Sequence, residues 1–334
     1  MLPRLLAPWR PAAYHGGRRT RDFFEGWYFK IVTADERRAA AVIPGVALSS
    51  DPAASHAFVQ VSDAASGRAA YYRFPLSEFH ADPARFDVRI GPNVFRPDGI
   101  SLDLDDGALR VRGRLVLRGL TPWPVRFLSP GAMGWYALVP TMECNHAVLS
   151  FDHRIEGALE IGGERVDFEG GKGYLEKDWG ASFPAAWIWF QTNHFDEDGV
   201  SLFGSVAKIP WRGKFFTGSL FGLWRGGRLF RFATYTGAKI RRLEAGAERI
   251  VLDVADRRYG LEIRAERREG VDLPAPVLGE MSSKVNETLR ARIEVTLIRL
   301  DGGRREVLFS GTGRNAGLEF VGDIEVLLAG LGSR

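Results

Sequence analysis

Along most of this chain apolar and polar residues alternate with a period of two over short runs, the pattern of strands whose two faces meet different surroundings. From Glu25 onward, Glu25, Trp27, Phe29 and Ile31 alternate with Gly26, Tyr28, Lys30 and Val32, and the charged turn Asp35-Glu36-Arg37-Arg38 ends the run. A strand over 39–46 is expected to break at Pro44-Gly45, and one over 56–62 sets His56, Phe58 and Gln60 against Ala57, Val59 and Val61. Shorter runs follow at 71–74, 86–90, 94–95, 101–104 and 109–117, then at 146–155, 157–161 and 165–168. In the second half they recur at 200–209, 215–223, 229–236, 240–243, 249–255, 259–264, 291–300 and 306–311, before a closing segment over 318–328. Asp105-Asp106-Gly107, Gly162-Gly163 and Gly226-Gly227 stand between such runs, where hairpins need residues that accept positive φ. Only Val277, Met281, Val285 and Leu289, at four-residue spacing, predict a helix, over 277–289. The pattern predicts an all-β fold of antiparallel barrels or sandwiches with at most one or two short helices. An arm over 1–22 is expected to precede a first β-domain over 23–170 and a second over 171–334, each set opening near a Trp-bearing strand.

The densest chemistry lies in the middle. Gly170-Gly171-Lys172-Gly173 through Glu176-Lys177-Asp178-Trp179-Gly180 reads as a glycine-punctuated turn leading into a strand over 187–195. On that strand Trp187, Trp189, Gln191, Asn193 and Phe195 share one face, and Ile188, Phe190, Thr192 and His194 the other. Indole surface joined to amides suits the wall of a ligand pocket; the competing reading is a core stripe whose amides tie down a neighbouring turn. The Pro- and Gly-rich crossing over 121–142 carries Trp123, Trp135 and Tyr136, more aromatic surface than a solvated linker bears, and is expected to pack across a barrel mouth.

Composition narrows the function. The 334 residues allow two ordinary domains or one wide β structure; 45% hydrophobic and 26% charged residues are those of a globular protein, and 39 Gly with 12% aromatics favour many short strands. With 45 basic against 41 acidic residues the net charge is only +4, which does not indicate a nucleic-acid partner. Peripheral contact with an anionic membrane stays open, although no amphipathic helix or polybasic run argues for it. Cys144 is the single cysteine, so neither an internal disulfide nor a Cys-rich zinc site is available. Pro3, Pro8 and Pro11 interrupt the N-terminus, and no run approaches the roughly 20 apolar residues of a spanning helix, so a cytoplasmic protein is expected. No protein partner is inferred.

The usual catalytic and nucleotide-binding signatures are missing, and Gly171-Lys172-Gly173 and Gly311-Thr312-Gly313 are followed by no helix, so no nucleotide site, hydrolase or dehydrogenase is expected. The acids that draw attention are Glu25, Glu176, Asp178 and Glu143. A carboxyl group held against indole and phenyl surface favours its neutral form and could donate a proton. Glu25, beside Phe24 and Trp27, fits that description, with an ion pair to Lys30 or Arg21 as the alternative. Glu176-Lys177-Asp178 reads equally as a surface ion network in which Asp178 caps a turn. In the patch Glu143-Cys144-Asn145-His146, followed by Asp152-His153, a strand from 146 would place His146 opposite His153, which then sits among Leu149, Phe151 and Ile155 as a core histidine or a catalytic one. Glu143 and His146 diverge on a strand, so no metal site is expected.

Two blocks far apart in the chain, Phe24-Glu25-Gly26-Trp27-Tyr28-Phe29 and Glu176-Lys177-Asp178-Trp179-Gly180 with Phe183-Pro184, Trp187, Trp189, Gln191, Asn193 and Phe195, resemble the tocopherol cyclase family; Gly317-Leu318-Glu319-Phe320 is a weaker echo. The resemblance implies a pair of lipocalin-like β-barrels and an intramolecular cyclase, an isomerase or lyase in class. Such enzymes close prenylated quinols to chromanols without a cofactor: an acid protonates the prenyl double bond and the phenolic oxygen captures the cation. On that reading the acid comes from Glu25, Glu176, Asp178, Glu143 or His153. Trp27, Trp135, His146, Trp179, Trp187, Trp189, Gln191 and Asn193 then line the site of a hydrophobic small molecule. A non-catalytic carrier of a lipid, quinone or pigment would use the same cavity, and a scaffold would need none.

Overall fold

Period-two runs become strands because each residue pair then divides between a core face and an opposite face while the ladder satisfies every backbone amide. A computed structural model describes residues 7–17, 19–107 and 109–331, so the first six residues of the expected arm, and Arg18 within it, lie outside the described residues. The chain forms two compact units, Met1–Phe183 with Val271–Lys284, and Pro184–Gly270 with Val285–Arg334. Each is built on one antiparallel sheet, as the all-β expectation requires.

In the first unit the sheet is organised about strand Gly171–Gly180. On one side the hairpin-connected strands Phe23–Val32, Ala39–Leu48, His56–Asp63 and Arg68–Phe74 lead away from it. On the other side come Cys144–Ile161, Arg110–Arg118, Gly99–Asp105, Asn93–Arg96, Val88–Ile90 and Phe79–Ala81. The first resembling block and the Glu176-to-Gly180 part of the second are therefore neighbours, with Glu25 opposite Trp179, Trp27 opposite Lys177 and Tyr28 opposite Glu176. Residues from both ends of the sheet, such as Val59 and Val61 at one and Val88 and Ile90 at the other, share one core with Trp27, Phe29 and Ile31, so the sheet curls upon itself. The second unit repeats the scheme around strand Trp187–Thr192, between Ser201–Trp211 and Arg304–Val321. Its core holds Ile188, Phe190, Leu202, Phe221 and Ile263, and helix Ile324–Leu331 buries Leu327 in it while Thr217 Oγ1 donates to the Leu327 carbonyl at 2.6 Å.

Four local expectations change. The helix over 277–289 is instead strand Val271–Val277, a turn at Leu278-Gly279 and strand Glu280–Asp301. Four residues is twice the strand period as well as one helical turn, and Leu278 and Gly279 take φ of 49° and 76°, which a helix cannot continue through. Pro44-Gly45 does not end its strand: Ala39–Leu48 is continuous, and pairing with Phe23–Val32 lapses only across Ile43-Pro44, where the Pro44 amide is missing. The turn read into 170–180 is strand Gly171–Gly180, with positive φ only at its ends, 71° at Gly170 and 156° at Gly180. Phe195 does not share the face of Trp187 and Trp189, because the strand ends at Thr192 and the Phe195 ring enters the core beside Phe309. Among the described residues no helix is long and apolar enough to cross a membrane.

Candidate functional site

Strand Gly171–Gly180 separates two kinds of chemistry because alternate residues face opposite ways. Toward the core of the first unit go Gly173, Leu175, Lys177 and Trp179, in register with Ile31, Phe29, Trp27 and Glu25. Toward the other face go Tyr174, Glu176 and Asp178, in register with Lys30, Tyr28 and Gly26. Candidate residues adjacent in sequence thus belong to two separate arrangements.

On the core face Glu25 and Lys177, both 0% exposed, pair at 2.5 Å. The Glu25 carboxylate also accepts hydrogen bonds from the His15 amide, at 3.0 and 2.9 Å to its two oxygens, and from the Gly16 amide at 3.0 Å. Lys177 donates to the carbonyls of Pro11, at 3.1 Å, and Ala13, and to His15 Nδ1 at 2.7 Å. Its ammonium lies 4.9 Å from the Trp27 ring and 4.7 Å from the Trp179 ring, and the His15 imidazole stacks on Trp179 at 4.2 Å. Burial pushes Lys177 down to about 8 against the pull of Glu25; burial and then the neighbouring ammonium also lower His15, whose Nδ1 serves as an acceptor. Glu25 and Lys177 between them bind Pro11, Ala13, His15 and Gly16, so this group holds the N-terminal arm. The partner of Glu25 is neither Lys30, which lies on the opposite face, nor Arg21. Trp27 is a core residue stacked on Phe86 at 5.5 Å, and Trp179 packs against the same core. His153 is buried over Gly173 with Nδ1 3.1 Å from Ser150 Oγ, and burial lowers it to about 3, so it stays neutral.

On the other face four titratable side chains form a chain of contacts. Tyr174 OH donates to Glu176 Oε2 at 2.5 Å; Glu176 Oε2 is 3.6 Å from His146 Nε2; and His146 Nδ1 is 2.9 Å from Asp178 Oδ1. Strand Cys144–Ile161 supplies His146 directly opposite Asp178. Burial and the Glu176 charge push Tyr174 well up, which keeps its hydroxyl protonated as a donor. Cys144, 3.8 Å from Asp178 Oδ1, is likewise pushed up by burial and then by Asp178, so it stays a thiol rather than a nucleophile. His146, Glu176 and Asp178 offer ligand atoms within 4.8 Å of one another, a donor set able to hold a divalent cation, unlike the divergent pair considered from sequence. Glu143 stands at the entry to this strand, where its carbonyl accepts the Ala181 amide at 2.8 Å and forbids any side chain at position 180.

Two glycines lie in register beside this chain of contacts. Gly26 lies between Asp178 and Gly45 in register, and the Phe58 ring lies over Gly45, where a Cβ would come within 2.4 Å of it. A Cβ on Gly26 would meet the Pro44 carbonyl at 3.7 Å and Ile43 at 3.8 Å, ordinary contact distances, so position 26 has room for a methyl group. Tyr28, Phe58 and Tyr71 flank it, Phe58 and Tyr71 stacked at 5.3 Å, together with Lys30, Gln60 and Ser62, all buried except Tyr71, which is half-buried. Sequence reasoning missed Tyr28, Lys30 and Tyr174; their alternation with Glu176 and Gly26 was the signal. Trp135 does not join either arrangement: it is 44% exposed and stacks on Tyr136.

In the second unit Trp187, Trp189 and Gln191 face away from the core that holds Ile188 and Phe190. Trp187 Nε1 donates to Glu319 Oε2 at 2.7 Å, and Glu319 stands opposite Trp189 and opposite Glu287. Gln191 is fully buried with neither end of its amide bonded, and Asn193 is buried beyond the strand end. Glu287 and Glu319 are carboxylates that the sequence reading did not place on this wall.

A family model described as Tocopherol cyclase-like matches residues 115–322. A chloroplastic tocopherol cyclase of Zea mays is 28% identical over 198 residues, 57% of this chain and 41% of that protein. A protein of Oryza sativa subsp. japonica described as "Probable tocopherol cyclase, chloroplastic" is 29% identical over 197 residues. The chain spans about two fifths of the length of these relatives, 42% and 41%. The solved structure of CghA with Sch210972 superposes with a TM-score of 0.55 at 12% identity, over 90% of this chain and 88% of that one, which shows a shared fold.

Proposed function

This chain belongs to the tocopherol cyclase-like family, and from that premise we propose that it is a cyclase acting on a lipophilic prenylated phenol or quinol, with His146 as the proton donor. The observation that carries this reading is the His146 imidazole held between Asp178, at 2.9 Å, and Glu176, at 3.6 Å, on the face where Gly26 lies in register with Asp178. In the proposed reaction the N–H bond of the imidazolium breaks and a C–H bond forms at the prenyl double bond, leaving a tertiary carbocation. The phenolic oxygen attacks that carbon, a C–O bond forms, and the phenol proton returns to the imidazole, so atoms and charge balance without a cofactor. Asp178 orients the ring, and Glu176, itself held by Tyr174, balances its charge through the cycle. Tyr28 and Phe58 offer ring faces to the cation, and the burial of these two side chains limits capture of the cation by water.

The test is turnover of a panel of prenylated quinols by the purified protein. His146→Gln is expected to lower kcat by at least about a hundredfold while the Kd for substrate changes little, and Asp178→Asn to lower kcat less. Full turnover by His146→Gln would sink the assignment, and stoichiometric binding of quinols without product by the unaltered protein would favour a carrier instead.

A further inference from the structure

The loop over 125–128 carries the most exposed apolar side chains of the described residues. Phe127 is 81% and Leu128 85% exposed, with Val125 at 42%. They sit at the tip of a tight turn closed by two hydrogen bonds between Arg126 and Ser129, at 3.1 and 3.0 Å, so the residues are held out by backbone geometry. The N-terminal segment buttresses this tip: Trp9 stacks on Phe127 at 6.1 Å, its indole N–H donates to the Phe127 carbonyl at 3.0 Å, and Pro11 lies against Gly131. Charge around the tip is one-sided. Neither 1–21 nor 107–142 contains an acidic residue, although the two stretches hold five Arg each. Arg110, Arg112 and Arg118 are taken up by Asp105, Asp103 and Glu156, whereas the exposed Arg10 and Arg126, beside Trp9 and Phe127, have no carboxylate partner among the described residues.

We propose that this tip is a membrane-docking element, in which Phe127 and Leu128 enter the interfacial region of a bilayer while Arg10 and Arg126 meet anionic lipid headgroups. Burying Phe and Leu relieves apolar surface that water otherwise solvates, and an indole at the base suits the headgroup level. A convex tip of two or three side chains falls far short of the about 800 Å² per partner of a stable protein interface, but it suffices for reversible insertion assisted by charge. The tip shares no residue with the His146 arrangement, so its test is independent of the cyclase reading.

Co-sedimentation of the full chain with phosphatidylcholine vesicles, with and without phosphatidylglycerol, tests the proposal. The unaltered protein is expected to bind, more tightly with phosphatidylglycerol and less tightly as salt rises. Phe127→Ser/Leu128→Ser is expected to weaken binding to both vesicles by at least about tenfold with an unchanged unfolding midpoint. Arg10→Gln/Arg126→Gln is expected to abolish the preference for phosphatidylglycerol while leaving residual binding. No vesicle binding by the unaltered protein, or equal binding by the Phe127→Ser/Leu128→Ser variant, overturns it. So does a dimer in light scattering that this variant dissolves without loss of vesicle binding.

Discussion

Gln191 and His153 show how a buried polar group declares its role by what surrounds it. The Gln191 amide has been taken out of water without a partner for either end, an arrangement that costs stability unless a ligand completes it. Gln191→Met, close in volume, is therefore expected to raise unfolding stability by about 1 kcal/mol and to weaken binding of a hydroxyl- or carbonyl-bearing ligand; denaturant melts and a binding titration read the two effects. His153 has one ring nitrogen bonded and the other over Gly173 in the core, and burial lowers it from 6.5 to about 3. Its folded value lies below its unfolded one, so between about pH 3 and 6.5 the unfolded chain binds the extra proton. Its contribution is thus complete above pH 6.5 and lost as pH falls toward 3, at up to about 1.4 kcal/mol per unit. Stability measured from pH 7 to 4 should fall less steeply in His153→Leu than in the unaltered protein. Equal slopes would show that the proton goes elsewhere.

At the scale of elements, strand Gly171–Gly180 joins the arm to the sheet through one ion pair. The hydrophobic pattern disclosed that Glu25 shares a face with Trp27; it could not disclose Lys177, because the partner comes from a strand distant in sequence. Removing one member leaves a buried charge alone, and Lys177→Met is expected to cost about 3–5 kcal/mol and to expose the 7–22 segment to limited proteolysis. Glu25→Leu/Lys177→Met should recover much of that loss, as replacement of both charges by apolar groups leaves none unpaired. If the single change proves neutral and the arm stays protected, the pair does not hold the arm. The same strand explains why Glu176 and Asp178 were legible as candidates while their roles were not: alternation assigns faces only once the segment is known to be a strand, and its glycines suggested a turn.

Across the whole molecule the order of strands matters most. The expected domain boundary between residues 170 and 171 falls just ahead of the strand that joins both halves of the first sheet. A fragment ending at residue 170 would leave Phe23–Val32 and Cys144–Ile161 as long unpaired edges, so it is expected to aggregate or lack cooperative unfolding. Size-exclusion chromatography and thermal melts check this, and a soluble fragment with a sharp transition would contradict it. Most strands and the hairpin turns between them were legible from sequence, since each depends on neighbours within a few positions: local alternation and glycine placement determine them. That Glu25 meets Lys177 and not Lys30, that His146 meets Asp178 and Glu176 while His153 turns inward, and that 277–289 extends rather than coils were decided only by tertiary structure. Each depends on register between strands far apart in the chain, and a shift of one residue would exchange the faces.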